Sequence, residues 1–393
     1  MEEIIRVERK KILNLRNFFI LSAIILIFSI FSSIMSLNNY NVYDSQGSII
    51  ISSKDNLKES KLNTHNTLLN EKTLKDIVEK KDKSKYLYNS NLITLVASNY
   101  EKKVKELTND DIRNFYNQRI TNVKKNLGGA TVEDIDKLAS EGEKLNTPLQ
   151  LGYAEGWKNL NNDMIDFVTI IIFIIPFIIL SVFAQDQKTK MRQLYITTKH
   201  GKKTSVKSKI ITGLEVGSII YITAVLIFSL SRLSILGFKG ASLLIQSIAN
   251  YLFCPYNITY LQQYLLNVTI GFMAMIVMVS TTLLFTVIID HILSGAVFVA
   301  FFCAIMTMIP NNFEINHHFK NFLPHHMTNF NNYYINPEVY NISGKIIPTY
   351  VLVILISLLV FTILTTFTVI ISKVKLSSKL NNNKTTTYNH FRF

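Results

Sequence analysis

The sequence has few of the residues that build disulfide-stabilised or nucleotide-binding proteins. Its 393 residues include two cysteines, Cys254 and Cys303, together with 14 glycines and 7 prolines. Two cysteines give no disulfide framework. The sequence also lacks a Gly-x-x-x-x-Gly-Lys-Ser/Thr loop, whose backbone amides would wrap a phosphate, and the nearest stretch, 201–204, has a single glycine. We therefore expect this chain to bind no cofactor of its own.

Charged residues are also scarce, and long apolar runs take their place. The chain is 17% charged and 48% hydrophobic, whereas a soluble domain is about 25% charged. Several runs reach the roughly 18 apolar residues of a transmembrane helix. The composition predicts an all-α membrane protein with six transmembrane helices, at Phe18–Met35, Phe167–Ala184, Ile210–Leu230, Leu265–Ile289, Ile292–Ile309 and Ile346–Ile371.

The fourth and fifth predicted spans adjoin each other and require a hairpin. Only Asp290 and His291 interrupt the 45 residues from Leu265 to Ile309. A single helix of that length would measure about 68 Å, over twice the thickness of the hydrocarbon core. We therefore expect the chain to reverse at this polar pair.

Basic residues are concentrated in three segments that predict the orientation. The loop 185–209 has eight Lys or Arg and one acid. Its charge of +7 is half of the net charge of the chain, which is +14. The N-terminal segment and the C-terminal tail are also basic. Because short loops rich in Lys and Arg stay in the cytoplasm, we expect both termini to be cytoplasmic. The abundance of Asn, Lys and Ile is typical of an AT-rich bacterial genome, so we expect a multi-pass protein of the bacterial plasma membrane.

Residues 1–37 comprise an N-terminal segment and the first span. The apolar run of this span is longer than that of a usual signal peptide, which favours an uncleaved anchor. Residues Met1–Arg16 mix isoleucine and leucine with charges. This pattern fits an amphipathic helix at the inner membrane surface, or a charged flank that only orients the span.

Residues 38–163 form one polar insert between the first two spans, about the size of a small domain. The pattern predicts a mainly α-helical extracellular domain, with helices at Glu71–Lys80, at Asn99–Asn126 and from Thr131. A short strand at Ser48–Ser52 leaves an α+β fold open. Its carboxylates alternate with lysines at helical spacing, as on a solvated surface, and we assign none of them to catalysis.

The remaining region, 164–393, holds spans two to six, and few of its residues carry chemistry. Glu215 lies near the cytoplasmic end of span three, where an interfacial or interhelical hydrogen bond is expected. Four histidines, 317, 318, 325 and 326, lie among aromatic residues before the last span. Their spacing and flanks favour an interfacial belt over a metal site. Nothing here combines a nucleophile, a base and a metal, so we predict that the chain is not an enzyme.

The basic loop 185–209 is the best candidate site. Met191, Leu194 and Tyr195 lie among basic residues, and a short helix would group them as an apolar knob on a positive surface. Such a knob could insert into a groove on an acidic partner protein. Alternatively, the charge only orients the chain and binds anionic lipid. The residues themselves leave both interpretations open.

Several short stretches resemble one family of membrane proteins. They are Phe183-Ala-Gln-Asp186, Met191-Arg-Gln-Leu194, Thr197-Thr-Lys-His-Gly-Lys202, Lys209, Gly152-Tyr-Ala-Glu-Gly-Trp157, Gly240–Gln246 and Leu323-Pro324. In this combination they resemble the type-2 ABC transporter permeases, the six-helix membrane subunits of many bacterial exporters. The family has Glu where Asp186 stands and Arg where Lys202 stands. Its glycine before the Leu-rich run is replaced here by Lys190 or Met191.

The resemblance implies a permease subunit whose cytoplasmic loop couples to a separate ATPase. ATP and Mg²⁺ would be bound by that partner, and a second, identical or related permease subunit would complete the pathway. The cargo would be an amphiphile such as a peptide, an antibiotic or a lipid, and the other expected partners are membrane lipids, not nucleic acid. The coupling residues implied by the resemblance are Asp186, Met191, Arg192, Leu194, Tyr195, Gly201 and Lys202.

A second hypothesis comes from a different class of protein. A membrane-anchored receptor or sensor could bind a ligand through residues 38–163 and signal through the basic cytoplasmic loop. The partner of that loop distinguishes the two hypotheses, because an ATPase favours the transporter and a kinase or regulator favours the sensor.

Overall fold

The chain is described by a computed structural model that covers residues 2–43, 48–63, 67–79, 87–100, 102–127, 132–183, 201–289, 291–308, 320–335 and 337–390. These residues are mostly helical. Two helices begin the chain, α1 (Glu2–Ile12) and α2 (Leu15–Leu37). Asn14 separates them, because its side chain accepts a hydrogen bond from the Asn17 amide at 2.8 Å and caps α2. The N-terminal segment is thus a helix of its own and not an extension of the first span.

The polar insert after α2 combines short strands with helices. Strands β1 (Val42–Tyr43) and β2 (Ile49–Ile51) pair antiparallel, and β2 confirms the strand predicted at 48–52. Helix α3 (Ser53–Asn63) and strand β3 (Thr67–Leu68) follow. Further helices are α4 (Glu71–Glu79), α5 (Leu87–Ser98), α6 (Asn109–Arg113), α7 (Phe115–Asn126) and α8 (Val132–Glu143), before β4 (Gln150–Leu151) pairs with β3.

The prediction of one helix over Asn99–Asn126 is wrong. A 3₁₀ turn at Val104–Glu106 and a new N-cap at Thr108 divide this stretch. The Thr108 side chain accepts from the Asp111 amide, while the Asp111 carboxylate accepts from the Thr108 amide, so the two residues form a capping box. Helix α6 therefore begins at Asn109, and Asn114 separates it from α7.

The hydrophobic core of the insert is not made by the insert alone. Leu69, Leu95, Phe115 and Leu149 are fully buried in one cluster, and Leu252 from the connection between the third and fourth long apolar helices is buried among them. The insert is thereby packed onto the membrane part of the chain through apolar contacts.

The remaining elements are predominantly long apolar helices. They are α9 (Glu155–Ile179), α10 (Gly201–Leu236), α11 (Tyr260–Ile288), α12 (Ile292–Met308), the short α13 (Pro324–Met327), the hairpin β5 (Val339–Ile342) and β6 (Lys345–Pro348), and α14 (Thr349–His390). Five stretches are long and apolar enough to cross a membrane: Leu15–Tyr40, Glu155–Phe183, Thr204–Leu236, Tyr260–Ile288 and Thr349–Lys375. They indicate a multi-pass membrane protein.

Helix α12 corresponds to the fifth predicted span but is shorter. Its 17 residues span about 26 Å at 1.5 Å per residue, slightly less than the roughly 30 Å of the hydrocarbon core. The predicted reversal before it is confirmed. Helix α11 ends at Ile288, and the ring of Phe302 in α12 returns to 5.8 Å from the ring of Phe285 in α11.

The observed helices differ in their bounds from the predicted spans, as the starts of α9 and α14 show. Helix α9 begins at Glu155, twelve residues before the predicted Phe167. The last helix begins at Thr349 and not at Ile346, because residues 345–348 pair with β5 across a turn at Ser343 and Gly344, both with positive φ. The apolar pair Ile346-Ile347 therefore belongs to a strand.

Helices α9, α10 and α11 form the centre of the bundle. Ile172 and Ile175 of α9, Tyr221 of α10 and Met275 of α11 are fully buried. The outer helices α2 and α14 are mostly exposed. Only 17% and 11% of the most apolar 18-residue stretch of each helix is buried. In a membrane these faces contact lipid or another protein chain.

Candidate functional site at the base of the basic loop

Most of the predicted coupling residues lie outside the part of the chain that the structure describes. These are Asp186, Met191, Arg192, Leu194 and Tyr195. Gly201 and Lys202 form the first turn of α10. The structure does describe the base of the loop. There α9 leads into the loop, and α10 follows it. We call this end of the bundle the loop end, and the opposite end, next to residues 38–154, the insert end.

A single buried lysine joins the two sides of this base. The Nζ of Lys209 in α10 donates to the carbonyl oxygen of Val182, the residue that lies 27 positions earlier at the end of the second apolar helix, at 2.5 Å. The Lys209 side chain is 4% exposed and also lies over the ring of Phe183, 5.3 Å from its centre. Lys209 therefore ties together the segments on either side of the loop.

Helix α1 packs on the same lysine. Glu8 of α1 is 5% exposed, and its Oε2 lies 3.9 Å from Lys209 Nζ. Its other carboxylate oxygen accepts from Lys11 Nζ at 3.1 Å. A carboxylate this buried needs cations nearby, since an unpaired charge would be costly to desolvate. The pairing of Glu8 with Lys209 therefore fixes α1 against the base of the loop.

A second, more exposed ion pair joins the same two helices. Arg9 Nη1 lies 3.6 Å from Glu215 Oε2, with the two side chains 42% and 38% exposed. Glu215 was expected to make an interfacial or interhelical hydrogen bond, and its Oε2 instead makes this interhelical ion pair, which is longer than a hydrogen bond. Around it, α1 and α10 border an open groove of about 440 Å³.

The loop end also contains the start of α12 and the part of α14 around Lys375. Lys375 of α14 donates from Nζ to the carbonyl oxygens of Val287 and Ile288 at 3.0 and 2.8 Å. These carbonyls end α11, where a cation is favoured by the helix dipole. The N-terminal helix, the base of the basic loop and Lys375 thus lie at one end of the bundle.

A second ion pair, with a buried arginine and a partly exposed carboxylate, lies toward the insert end and was missed by the sequence reasoning. Arg232 of α10 donates to the carboxylate of Asp163 in α9, and also to the backbone oxygen of Ser32 in α2 at 3.1 Å. The Arg232 side chain is 1% exposed. The apolar runs placed both residues outside the spans, so no local signal connected them. The pair ties α2, α9 and α10 together.

Buried amides and hydroxyl groups continue this polar layer across the bundle. Asn267 of α11 donates to the Asn161 side chain of α9 at 3.1 Å and accepts from the Tyr334 hydroxyl at 2.9 Å. Tyr251 donates to Asn331 at 2.6 Å. Because buried polar groups must be hydrogen-bonded, this series of hydrogen bonds fixes how α9, α11 and the segment before α14 meet.

The segment 320–335 returns into the bundle and does not run over its surface. Met327 Sδ lies 3.8 Å from the Ser357 hydroxyl, eight residues or about 12 Å beyond the start of α14. Thr328 shares a hydrogen bond of 2.6 Å with Thr169 of α9, and the ring of His325 stacks on Phe173 at 5.8 Å. One of the four histidines considered as an interfacial belt, His325, thus packs against a membrane helix.

The metal interpretation of that histidine-rich segment has no support in the described residues, which contain no group of three His, Cys, Asp or Glu side chains placed to hold a metal ion. His317 and His318 lie outside them.

Comparisons with protein-family models, with curated proteins and with solved structures found no match for this chain.

Proposed function

We propose that the chain is the permease subunit of an ATP-driven exporter and that a separate ATPase docks on the basic loop. The observation that carries this proposal is the contact of Lys209 with Val182 and Glu8. A docking loop can move membrane helices only if its base is firmly attached to them. Lys209 supplies that attachment, since one buried cation holds the end of α9, the start of α10 and helix α1.

The polar contacts between the helices offer a path for such a movement to the other end. Helices α9 and α10, which flank the loop, are joined to α2 by Arg232 and Asp163 and to α11 through Asn161 and Asn267. A rigid displacement of α9 and α10 at the loop end would therefore also change the packing at the insert end. This is the behaviour that alternating exposure of a pathway requires.

The remaining parts of the proposal concern the assembly. ATP and Mg²⁺ are handled by the partner ATPase, and a second permease subunit, identical or related, completes the pathway for an amphiphilic cargo. Helix α12 crosses the membrane together with the five longer apolar helices, which makes six spans in total. Both termini lie in the bacterial cytoplasm. The exposed apolar faces of α2, α12 and α14 fit contact with lipid and with that second subunit.

The docking role is tested by charging the apolar knob of the loop. Met191→Asp/Leu194→Asp should abolish co-purification of the ATPase and its stimulation by reconstituted permease, because two carboxylates would be placed in an apolar groove. Thr197→Asp/Thr198→Asp is the matched control, since it adds the same charge to the same loop and keeps the apolar side chains. Equal ATPase binding and activity in both variants would refute the docking role.

A receptor remains the second candidate, and one contact favours it. Arg119 of the insert donates to the carbonyl oxygens of Leu252 and Cys254, in the connection between α10 and α11, at 2.7 and 2.9 Å. A ligand bound by the insert could thus act directly on two membrane helices. Affinity purification of the full-length chain distinguishes the candidates: recovery of a kinase or regulator without an ATPase would favour the receptor.

A further inference from the structure

The groove between α1 and α10 carries charges of both signs on one narrow surface. Its described lining consists of Glu2, Glu3, Ile5, Arg6 and Arg9 of α1 together with Glu215 of α10. Residues 2, 5, 6 and 9 recur at three- and four-residue steps and therefore share one face of the helix. Their charged side chains face the same space of about 440 Å³, which is the size of a small-molecule site.

The charges of this groove are incompletely paired within the described chain. Arg9 approaches Glu215 only to 3.6 Å, which is longer than a hydrogen bond. Glu215 Oε2 is inaccessible to solvent and accepts no hydrogen bond from the described residues. The Glu215 side chain as a whole is 38% exposed, so a donor brought into the groove can reach its carboxylate.

The groove lies at the level of the lipid headgroups. The apolar stretch Thr204–Leu236 is longer than the membrane core requires, and about 20 residues suffice to cross it. The stretch has 33 residues, so a span of about 20 residues that ends at Leu236 begins near residue 217 and leaves Glu215 just outside the core. Helix α1 packs beside the same turns. Phospholipid headgroups can therefore reach this groove.

We infer that this groove binds a phospholipid whose headgroup combines a phosphate with a primary amine. Arg6 and Arg9 are placed to hold the phosphate, for which guanidinium groups are well suited. Glu215 and the acidic first turn of α1 accept from the ammonium group. The inference is independent of the transport proposal, because it requires only that α1 lies at the membrane surface.

The lining also discriminates against the alternatives. A bare divalent cation would be repelled by two arginines. A purely anionic headgroup would meet three carboxylates and only two guanidinium groups. A choline headgroup has no N–H to donate to Glu215, whereas a primary ammonium has three donors. Phosphatidylethanolamine is therefore the appropriate probe, compared with phosphatidylcholine and phosphatidylglycerol.

The experiment is lipid retention by the full-length protein in nanodiscs, followed by native mass spectrometry. Wild-type protein should retain phosphatidylethanolamine at least about tenfold over phosphatidylcholine, and Arg6→Gln/Arg9→Gln should lose about tenfold of it. Arg16→Gln is the matched control, since it removes an exposed cation from the same segment outside the groove. Equal retention by the double variant and the control would overturn the inference.

Two further arms keep the result decisive. Glu2→Gln/Glu3→Gln changes only exposed side chains at the start of α1, so it should fold even if the arginine variant does not. It should shift the retained lipid from phosphatidylethanolamine toward phosphatidylglycerol, and an unchanged ratio would contradict the inference. Soluble phosphoethanolamine should not displace the lipid at equal concentration. Displacement would identify a soluble ligand and overturn the assignment to a lipid.

Discussion

Gly271 of α11 faces Tyr221 of α10 so closely that no side chain fits between them. A Cβ built on Gly271 would overlap the Tyr221 hydroxyl and would lie 2.8 Å from Val168 Cγ1 of α9. The Tyr221 side chain is fully buried and donates to the Val268 carbonyl oxygen at 2.9 Å. Close approach at a small residue is a common way for membrane helices to pack, and here it joins the three central helices.

Gly271→Ala should therefore destabilise the bundle by about 1–3 kcal/mol, the usual cost of overpacking a core. Gly142→Ala is the control in a helix of the insert, where the added Cβ would meet its neighbours at 3.7 Å or more. That change should be neutral or stabilising, because alanine favours helix formation by up to about 1 kcal/mol over glycine. Thermal unfolding in one detergent compares the two, and a Gly271→Ala protein as stable as Gly142→Ala would contradict the packing described.

Arg119→Met should loosen the insert from the connection between α10 and α11. The buried guanidinium donates to three backbone carbonyls, those of Leu252, Cys254 and Gly142. Burial lowers its pKa to about 10, so it stays charged at neutral pH. Each carbonyl left without a donor costs about 1–3 kcal/mol. Hydrogen exchange of residues 115–143 and 249–256 should accelerate at least tenfold.

The control for this prediction is Arg113→Met. The Arg113 side chain is 64% exposed and pairs with Glu71 only at 3.5 Å, and such surface pairs contribute about 0–1 kcal/mol. Exchange in the same two segments should be nearly unchanged. Similar protection in the two variants would show that Arg119 does not hold the insert in place.

Local patterns predicted the fold where the determining signal was itself local. The reversal after Ile288 followed from Asp290 and His291. The start of α11 at Tyr260 was also readable, since Thr259 and Gln262 form a capping box, but the apolar run alone placed it at Leu265. The start of α9 was not readable, because Glu155 is held by Tyr40 and Asn91 from distant parts of the chain.

The candidate site was predictable in the same partial way. The basic charge of the loop was evident from the sequence, and Lys209 was noted at its end. Its partners Val182 and Glu8 were not predictable, because a backbone oxygen has no sequence signature and Glu8 lies about 200 positions away. Arg232 and Asp163 were missed for a related reason: both appeared to belong to polar segments, and only the packing of α9 against α10 pairs them.

Cys254 should not react with maleimides in the folded protein. It is fully buried, and burial raises the pKa of its thiol to about 12. The thiolate is the reactive form, and a raised pKa keeps the thiol protonated. In a Cys303→Ala background, labelling should therefore stay slow at both pH 7 and pH 9, because only about 0.1% of the thiol is ionised even at pH 9. Lys144→Cys, at a side chain 65% exposed, should react quickly, and roughly 25-fold faster at the higher pH. Rapid labelling of Cys254 in the folded protein would show that the residues that cover it move apart.

The orientation is tested by single cysteines at opposite ends of the bundle. Lys345→Cys lies in the exposed strand before α14, at the insert end, and Thr197→Cys lies in the basic loop. A membrane-impermeant maleimide added to intact cells should label the first and not the second, because the basic loop is expected in the cytoplasm. Both should react after the membrane is made permeable. Labelling of Thr197→Cys from outside would reverse the orientation and exclude docking of a cytosolic ATPase there.

The attachment of α1 to the loop base is tested by a double-mutant cycle between Glu8 and Lys209. Lys209→Met should destabilise the protein by about 3 kcal/mol, because it removes the donor to Val182 and takes a cation away from the buried Glu8 carboxylate. Adding Glu8→Gln should recover part of that loss, so the two changes should be less than additive. Arg9→Gln, which removes a half-exposed pair, should cost less than about 1 kcal/mol. Denaturant unfolding of the four proteins measures the coupling. Strict additivity would mean that α1 is not held by this pair, and α1 could then not transmit the movement of the loop.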